Sequence, residues 1–181
     1  DEAAAGGECP VYLDHLHAAE TGLARRLGVR LSLPAPPLHL DPERVTAAVL
    51  KKLAIKLSDE QTQVLTAVLA QRVAIITGGP GTGKTTLIRS LTAVMEALGK
   101  QFLLAAPTGR AARRLGEVTG RPTATIHKLL GYNFSTQSFE RDQDDPLETD
   151  ALIVDEASMV DLVVMHQLVR AVPMNAALIL V

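Results

Sequence analysis

The stretch "RVAIITGGPGTGKTTLIRSLTAVMEAL", residues 72–98, decides how this chain folds. It opens as a short apolar run, breaks into four glycines within six positions, and continues at helical spacing from Lys84 to a stop at Gly99. That order is strand, tight loop, helix. Residues 78–85, "GGPGTGKT", match G-x-x-x-x-G-K-[ST] in the context that pattern requires. Glycines let the backbone curl so that successive N–H groups point inward at phosphate oxygens, and the helix N-terminus adds partial positive charge. The expected cofactors are ATP and Mg²⁺, held by Gly78, Gly79, Pro80, Gly81, Thr82, Gly83, Lys84, Thr85 and Thr86. Lys84 is expected on the β- and γ-phosphates and Thr85 on the metal. The bland alternative is a glycine-rich turn with no ligand.

Working outward, three more apolar runs at 102–107, 151–156 and 176–181 alternate with helical patterns at 109–118 and 161–172. Nearly continuous apolar strands joined by helices predict a parallel sheet covered on both faces, a doubly wound α/β domain. In "LIVDEAS" the expected metal-side carboxylate, Asp155, ends a buried strand, and Glu156 is the natural base for an attacking water. Alone this pair would be weak evidence; behind a phosphate loop it becomes strong.

Upstream, apolar spacing predicts a helix over 11–27 and a second over 42–53, whose Pro42 suits a first turn after Asp41. Between them "LSLPAPPLHLDPE" reads as a stiff, non-helical connector. The expected organisation is a small helical segment plus linker over 1–56 and an ATPase domain over 57–181. A start at Asp1 and a final "NAALILV" suggest a fragment.

The 181 residues are 47% hydrophobic, enough for a core, yet hold no apolar run of membrane-spanning length and no secretory signal in "DEAAAGGECP". A lone Cys9 excludes an internal disulfide and a structural zinc site. No membrane role and a cytoplasmic location are expected.

Net charge is only −2, but residues 101–131 carry five basic groups against Glu117, while 140–156 carry eight acids against Arg141. Within "LLAAPTGRAARRL", 103–115, Thr108 can cap a helix on which Arg110, Arg113, Arg114 and Glu117 share one face. A solvated face and a nucleic-acid edge both fit that pattern. Position favours the edge, since ligands of open α/β sheets gather at strand C-terminal ends. In "TATIHKLLG" Thr125 is expected to cap a short helix bearing His127. Aromatics are 3% of the chain, leaving Tyr132, Phe134 and Phe139 for base stacking, so contacts to backbone phosphates should dominate. "FERDQDDPLETD" matches no calcium loop and reads as solvated loop or hairpin.

The ordered series "LSDEQ", "GGPGTGKTT", "AAPTGRAARRL", "TIHKLLGY" and "LIVDEASMVD", within 57–161, resembles RecD-type DNA helicases of superfamily 1. The resemblance implies a RecA-like P-loop NTPase fold and ATP-driven 5′-to-3′ movement on single-stranded DNA, with unwinding at duplex junctions, in repair or recombination. It implies that Gln61 reads adenine, although Ser58-x-x-Gln61 is also a capping box. It assigns Pro107, Thr108, Arg110, Thr125 and His127 to DNA, and leaves nuclease-complex partners open. A second motor domain with its arginine finger is not in the chain, so little hydrolysis is expected from it alone. The rival is an assembly or switch ATPase of the AAA type, or a nucleotide-binding fragment kept as a structural module.

Overall fold

The computed structural model describes residues 11–34, 41–79 and 81–181. Cys9, residues 35–40 of the proline-rich connector and Pro80 lie outside the described residues.

Helix α1 (Asp14–Ser32) comes first, followed by α2 (Pro42–Lys52) and α3 (Asp59–Leu69). The alternating part then runs β1 (Val73–Ile75), α4 (Lys84–Ala97), β2 (Phe102–Ala106), α5 (Gly109–Thr119) and β3 (Ala124–Thr125). After it come α6 (Ile126–Leu129), a hairpin of β4 (Tyr132–Asn133) and β5 (Ser138–Phe139), then β6 (Ala151–Val154), α7 (Leu162–Ala171) and β7 (Ala177–Leu180).

Five strands form one parallel sheet in the order β1-β7-β6-β2-β3. Alternate residues of β6 and β7 serve opposite cores. Ala151 and Ile153 of β6 and Ala177 and Ile179 of β7 pack with α3, α4 and Leu115 of α5. Leu152, Val154 and Leu178 face the other way, onto α6, α7 and the partly buried Leu23 and Leu27 of α1. The expected α/β architecture with helices on both faces is therefore present, and strand β7 lies between the strand that precedes the phosphate loop and the one that ends before Asp155.

Two sequence expectations change. Helix α1 runs to Ser32, past the expected end at residue 27 and into the stretch read as connector, because Pro34 restricts only its predecessor Leu33, which is extended at φ −78° and ψ 142°. The first sheet also gains β3, two residues pairing with the end of β2 through Ala106 and Thr125, too short for any apolar run to announce.

The extra turns of α1 have a job. Arg30 is fully buried and donates to Val172 O at 2.8 Å, Pro173 O at 3.0 Å and Ala176 O at 2.7 Å, filling the carbonyls at the end of α7. Arg26 adds bonds to Val169 O and Arg170 O, both at 2.9 Å. Burial, with Arg26 and Arg72 nearby, lowers the Arg30 pKa to about 10, so the group stays charged at neutral pH. Replacing it by Met keeps the apolar stem but strands the carbonyls of Val172 and Ala176, while Pro173 O keeps the Ala176 N–H. Arg30→Met should cost about 2–4 kcal/mol in urea unfolding, whereas Arg25→Met, on the same helix without these bonds, should stay within about 0.5 kcal/mol.

Candidate nucleotide and nucleic-acid site

The loop between β1 and α4 has the conformation its glycines require. Gly81 and Gly83 sit at φ +78° and +85°, where a side chain is strained. Lys84 begins α4 and donates to the carbonyls of Gly78 and Gly79, and Thr82 Oγ1 donates to Gly79 O at 2.9 Å. Lys84 and Thr85 are half-buried at the helix start, while Thr86 is exposed and faces away from the loop's clefts.

Two clefts meet at this loop. One, about 560 Å³, is lined by Ser58, Gln61, Val64, Ile75 and Leu87 together with Gly78, Thr82, Gly83 and Lys84. The other, about 610 Å³, runs from the same loop residues and Thr85 to Arg114, Val118, Asp155 and Glu156. The cleft on one side of the loop thus has the apolar Val64, Ile75 and Leu87 beside Glu60, and the one on the other side has Arg114, Asp155 and Glu156.

Gln61 forms the capping box and also reaches the phosphate loop. Ser58 Oγ accepts from Gln61 N at 3.1 Å and Gln61 Oε1 accepts from Ser58 N at 3.1 Å, completing the capping box. Its Nε2 donates to Thr82 O at 3.0 Å, so the cap of α3 is tied to the phosphate loop. A Cβ on Gly83 would lie 2.6 Å from that Nε2.

Across the sheet, β6 delivers Asp155 half-buried, its N–H donating to Ala105 O at 2.9 Å. Burial raises its pKa, the Glu156 N–H opposes this, and the Glu156 charge adds to it; Arg114 and Lys84 pull it down. Glu156 is exposed and left-handed at φ +55°, a conformation non-glycine residues adopt at local cost. That turn swings the chain from β6 into the 3₁₀ turn Ala157–Met159. The Thr85 hydroxyl and Asp155 carboxylate on one cleft suit the few hard oxygens by which proteins hold Mg²⁺ beside phosphates. Among the described residues no cluster of three or more His, Cys, Asp or Glu is placed to hold a metal by itself.

Beside this, the C-terminal ends of β2 and β3 are adjacent, Ala106 opposite Thr125. Thr108 Oγ1 caps α5 through Ala111 N at 3.2 Å, and Thr125 Oγ1 caps α6 through Lys128 N at 3.2 Å. Pro107, Thr108, Arg110, Thr125 and His127 therefore share one rim. His127 contacts an aromatic group, its ring 5.2 Å from Tyr132 edge-on and 5.7 Å from Phe139, and Phe134 stands on Tyr132 at 5.0 Å, 83% exposed. The hairpin that assembles these rings was not expected upstream of residue 139. The arginine face is also divided: Arg114 turns to the phosphate cleft, whereas Arg110 and Arg113 do not line it.

A family model described as "AAA domain" matches residues 61–181, from Gln61 through both carboxylates. This chain belongs to that family. As an AAA domain it is 45% identical over 180 residues to the ATP-dependent RecD2 DNA helicase of Deinococcus radiodurans, covering 99% of this chain and 24% of that protein. It is 39% identical over 146 residues to the RecBCD enzyme subunit RecD of Mycobacterium tuberculosis, covering 68% of this chain and 25% of that protein. A solved Pif1 helicase from Candida albicans superposes with a TM-score of 0.52 at 29% identity, over 70% of this chain and 32% of the other. The RecD-type resemblance carried by the motif order is thus matched by RecD relatives, and the RecA-like fold by a Pif1 structure. The chain spans about a quarter of the length of these curated relatives.

The glycine geometry makes a graded prediction. Gly81→Ala, with open space around it, should cost about 1 kcal/mol from backbone strain alone. Gly83→Ala should cost clearly more, and the excess should disappear when Gln61 is also Ala, as read by a double-mutant cycle in urea unfolding.

Proposed function

We propose that residues 57–181 are the first motor domain of a RecD-type, ATP-dependent DNA helicase, and that residues 1–56 are the helical end of a preceding domain with its linker. The observation that carries the reading is the charged cleft in which the phosphate loop faces Asp155 and Glu156. Lys84 would hold the β- and γ-phosphates, Thr85 and Asp155 the Mg²⁺, and Glu156 the attacking water. Gln61, in the cleft with Val64, Ile75 and Leu87, would read the base. The metal supplies neutralisation of phosphate charge when bound; the chain supplies its position.

Pro107, Thr108, Arg110, Thr125 and His127 would meet single-stranded DNA along the rim of β2 and β3, with the helix N-termini of α5 and α6 aimed at phosphates. The relatives named as DNA helicases and RecBCD subunits support unwinding at duplex junctions, a repair or recombination role, and a nuclease-complex partner as one form of the parent. No described helix is long and apolar enough to cross a membrane; a cytoplasmic location is part of the proposal. An AAA-type switch shares the phosphate loop but gives no account of the rim beside it.

Three measurements test this. The chain by itself should bind MgATP weakly, lose that binding by about tenfold or more on Lys84→Ala, and turn over negligibly; brisk hydrolysis by the isolated chain would contradict the need for a second domain. In the full-length parent, Glu156→Gln should retain nucleotide binding while lowering hydrolysis by about a hundredfold or more. Arg110→Ala there should weaken single-stranded DNA binding and flatten its salt dependence, and no change in either would favour the switch.

A further inference from the structure

The division of the arginine face points to a role for Arg114 that neither the motif nor the DNA rim supplies. Arg114 follows Arg113 on α5, but unlike Arg113 it lines, with Leu115 and Val118, the charged cleft shared by the phosphate loop and Asp155–Glu156. Leu115 is 1% exposed, so the root of this arginine is fixed by the core. Among the described residues its guanidinium donates no hydrogen bond and makes no ion pair, in contrast to Arg121, whose fork is taken up by Glu96. Its five donors in a planar fork are thus uncommitted on a cleft that also holds Lys84, Asp155 and Glu156.

The two clefts give the nucleotide a direction. Gln61, Ile75 and Leu87 line the side suited to a base, and the loop residues common to both clefts hold the middle of the chain of phosphates. The end beyond Lys84, where Asp155 and Glu156 lie, is left for the last phosphate. Arg114 lines only that end.

We infer that Arg114 contacts the terminal phosphate of the bound nucleoside triphosphate from within this same domain, making it a cis-acting sensor of that group. The inference rests on the nucleotide-binding reading of the cleft. One helix then carries a phosphate-facing arginine at Arg114 and, a turn earlier, the rim-facing Arg110. Loss of the terminal phosphate removes Arg114's partner and is felt by the helix that borders the DNA rim.

The test is the affinity of the purified chain for AMP-PNP and for ADP, each with Mg²⁺, by calorimetry, with thermal unfolding confirming that each variant is folded. Arg114→Ala should weaken AMP-PNP about tenfold or more and change ADP by no more than about twofold. Arg114→Lys should recover part of the loss, since it restores a point charge without the fork. Arg113→Ala should leave both affinities in place. An equal loss for both nucleotides, or none for either, overturns the assignment of Arg114. If the unaltered chain binds neither nucleotide and Lys84→Ala changes nothing, the nucleotide-site reading itself falls, and the role of Arg114 with it.

Discussion

Every strand of the main sheet is parallel, and that single constraint places everything else. Parallel neighbours put all strand C-termini, and the N-termini of the helices that follow, on one rim. Phosphate loop, carboxylate pair and both capping threonines arrive there although they are spread over residues 78–125 and 155–156 of the sequence. The price of a parallel sheet is burial of both faces, which the alternating contacts of β6 and β7 with two separate cores satisfy.

Position on this rim turns common local motifs into distinct chemistry. Thr108 and Thr125 are ordinary N-caps by their hydrogen bonds, and Ser58 with Gln61 is an ordinary capping box. What distinguishes them is the company: the box is tied to Thr82 of the loop, and the two capped helix starts stand side by side through Ala106 and Thr125. Glu156 differs in kind, because its left-handed backbone is a local cost accepted at the point where β6 must turn sharply past the cleft.

The long apolar strands and the phosphate loop were legible because burial on both faces and a demand for glycine leave strong marks on composition. Gly83 and Lys84 announce themselves; so does the Asp155–Glu156 pair behind "LIV". Strand β3 was not legible, since two residues held by one neighbour need no apolar run. Nor was the partition of the arginines. Helical periodicity puts Arg110, Arg113 and Arg114 on one arc, but which edge of that arc meets the cleft depends on how α5 sits over β2 and Thr123, whose hydroxyl donates to Ala112 O at 2.6 Å. The reach of α1 was obscured by prolines that in fact begin only at Pro34, and its purpose lies 142 or more residues away, in the carbonyls gathered by Arg30.

That clasp has a mechanical meaning. Hydrogen bonds from Arg26 and Arg30 join α1 to the last turn of α7, and α7 leads directly into β7, the strand lying between the two halves of the site. Helix α1 is thus bolted to the frame and not hung beside it. A load applied ahead of Asp14 would be carried as shear across five directional bonds into the centre of the sheet, so α1 is a stiff mount rather than a tether.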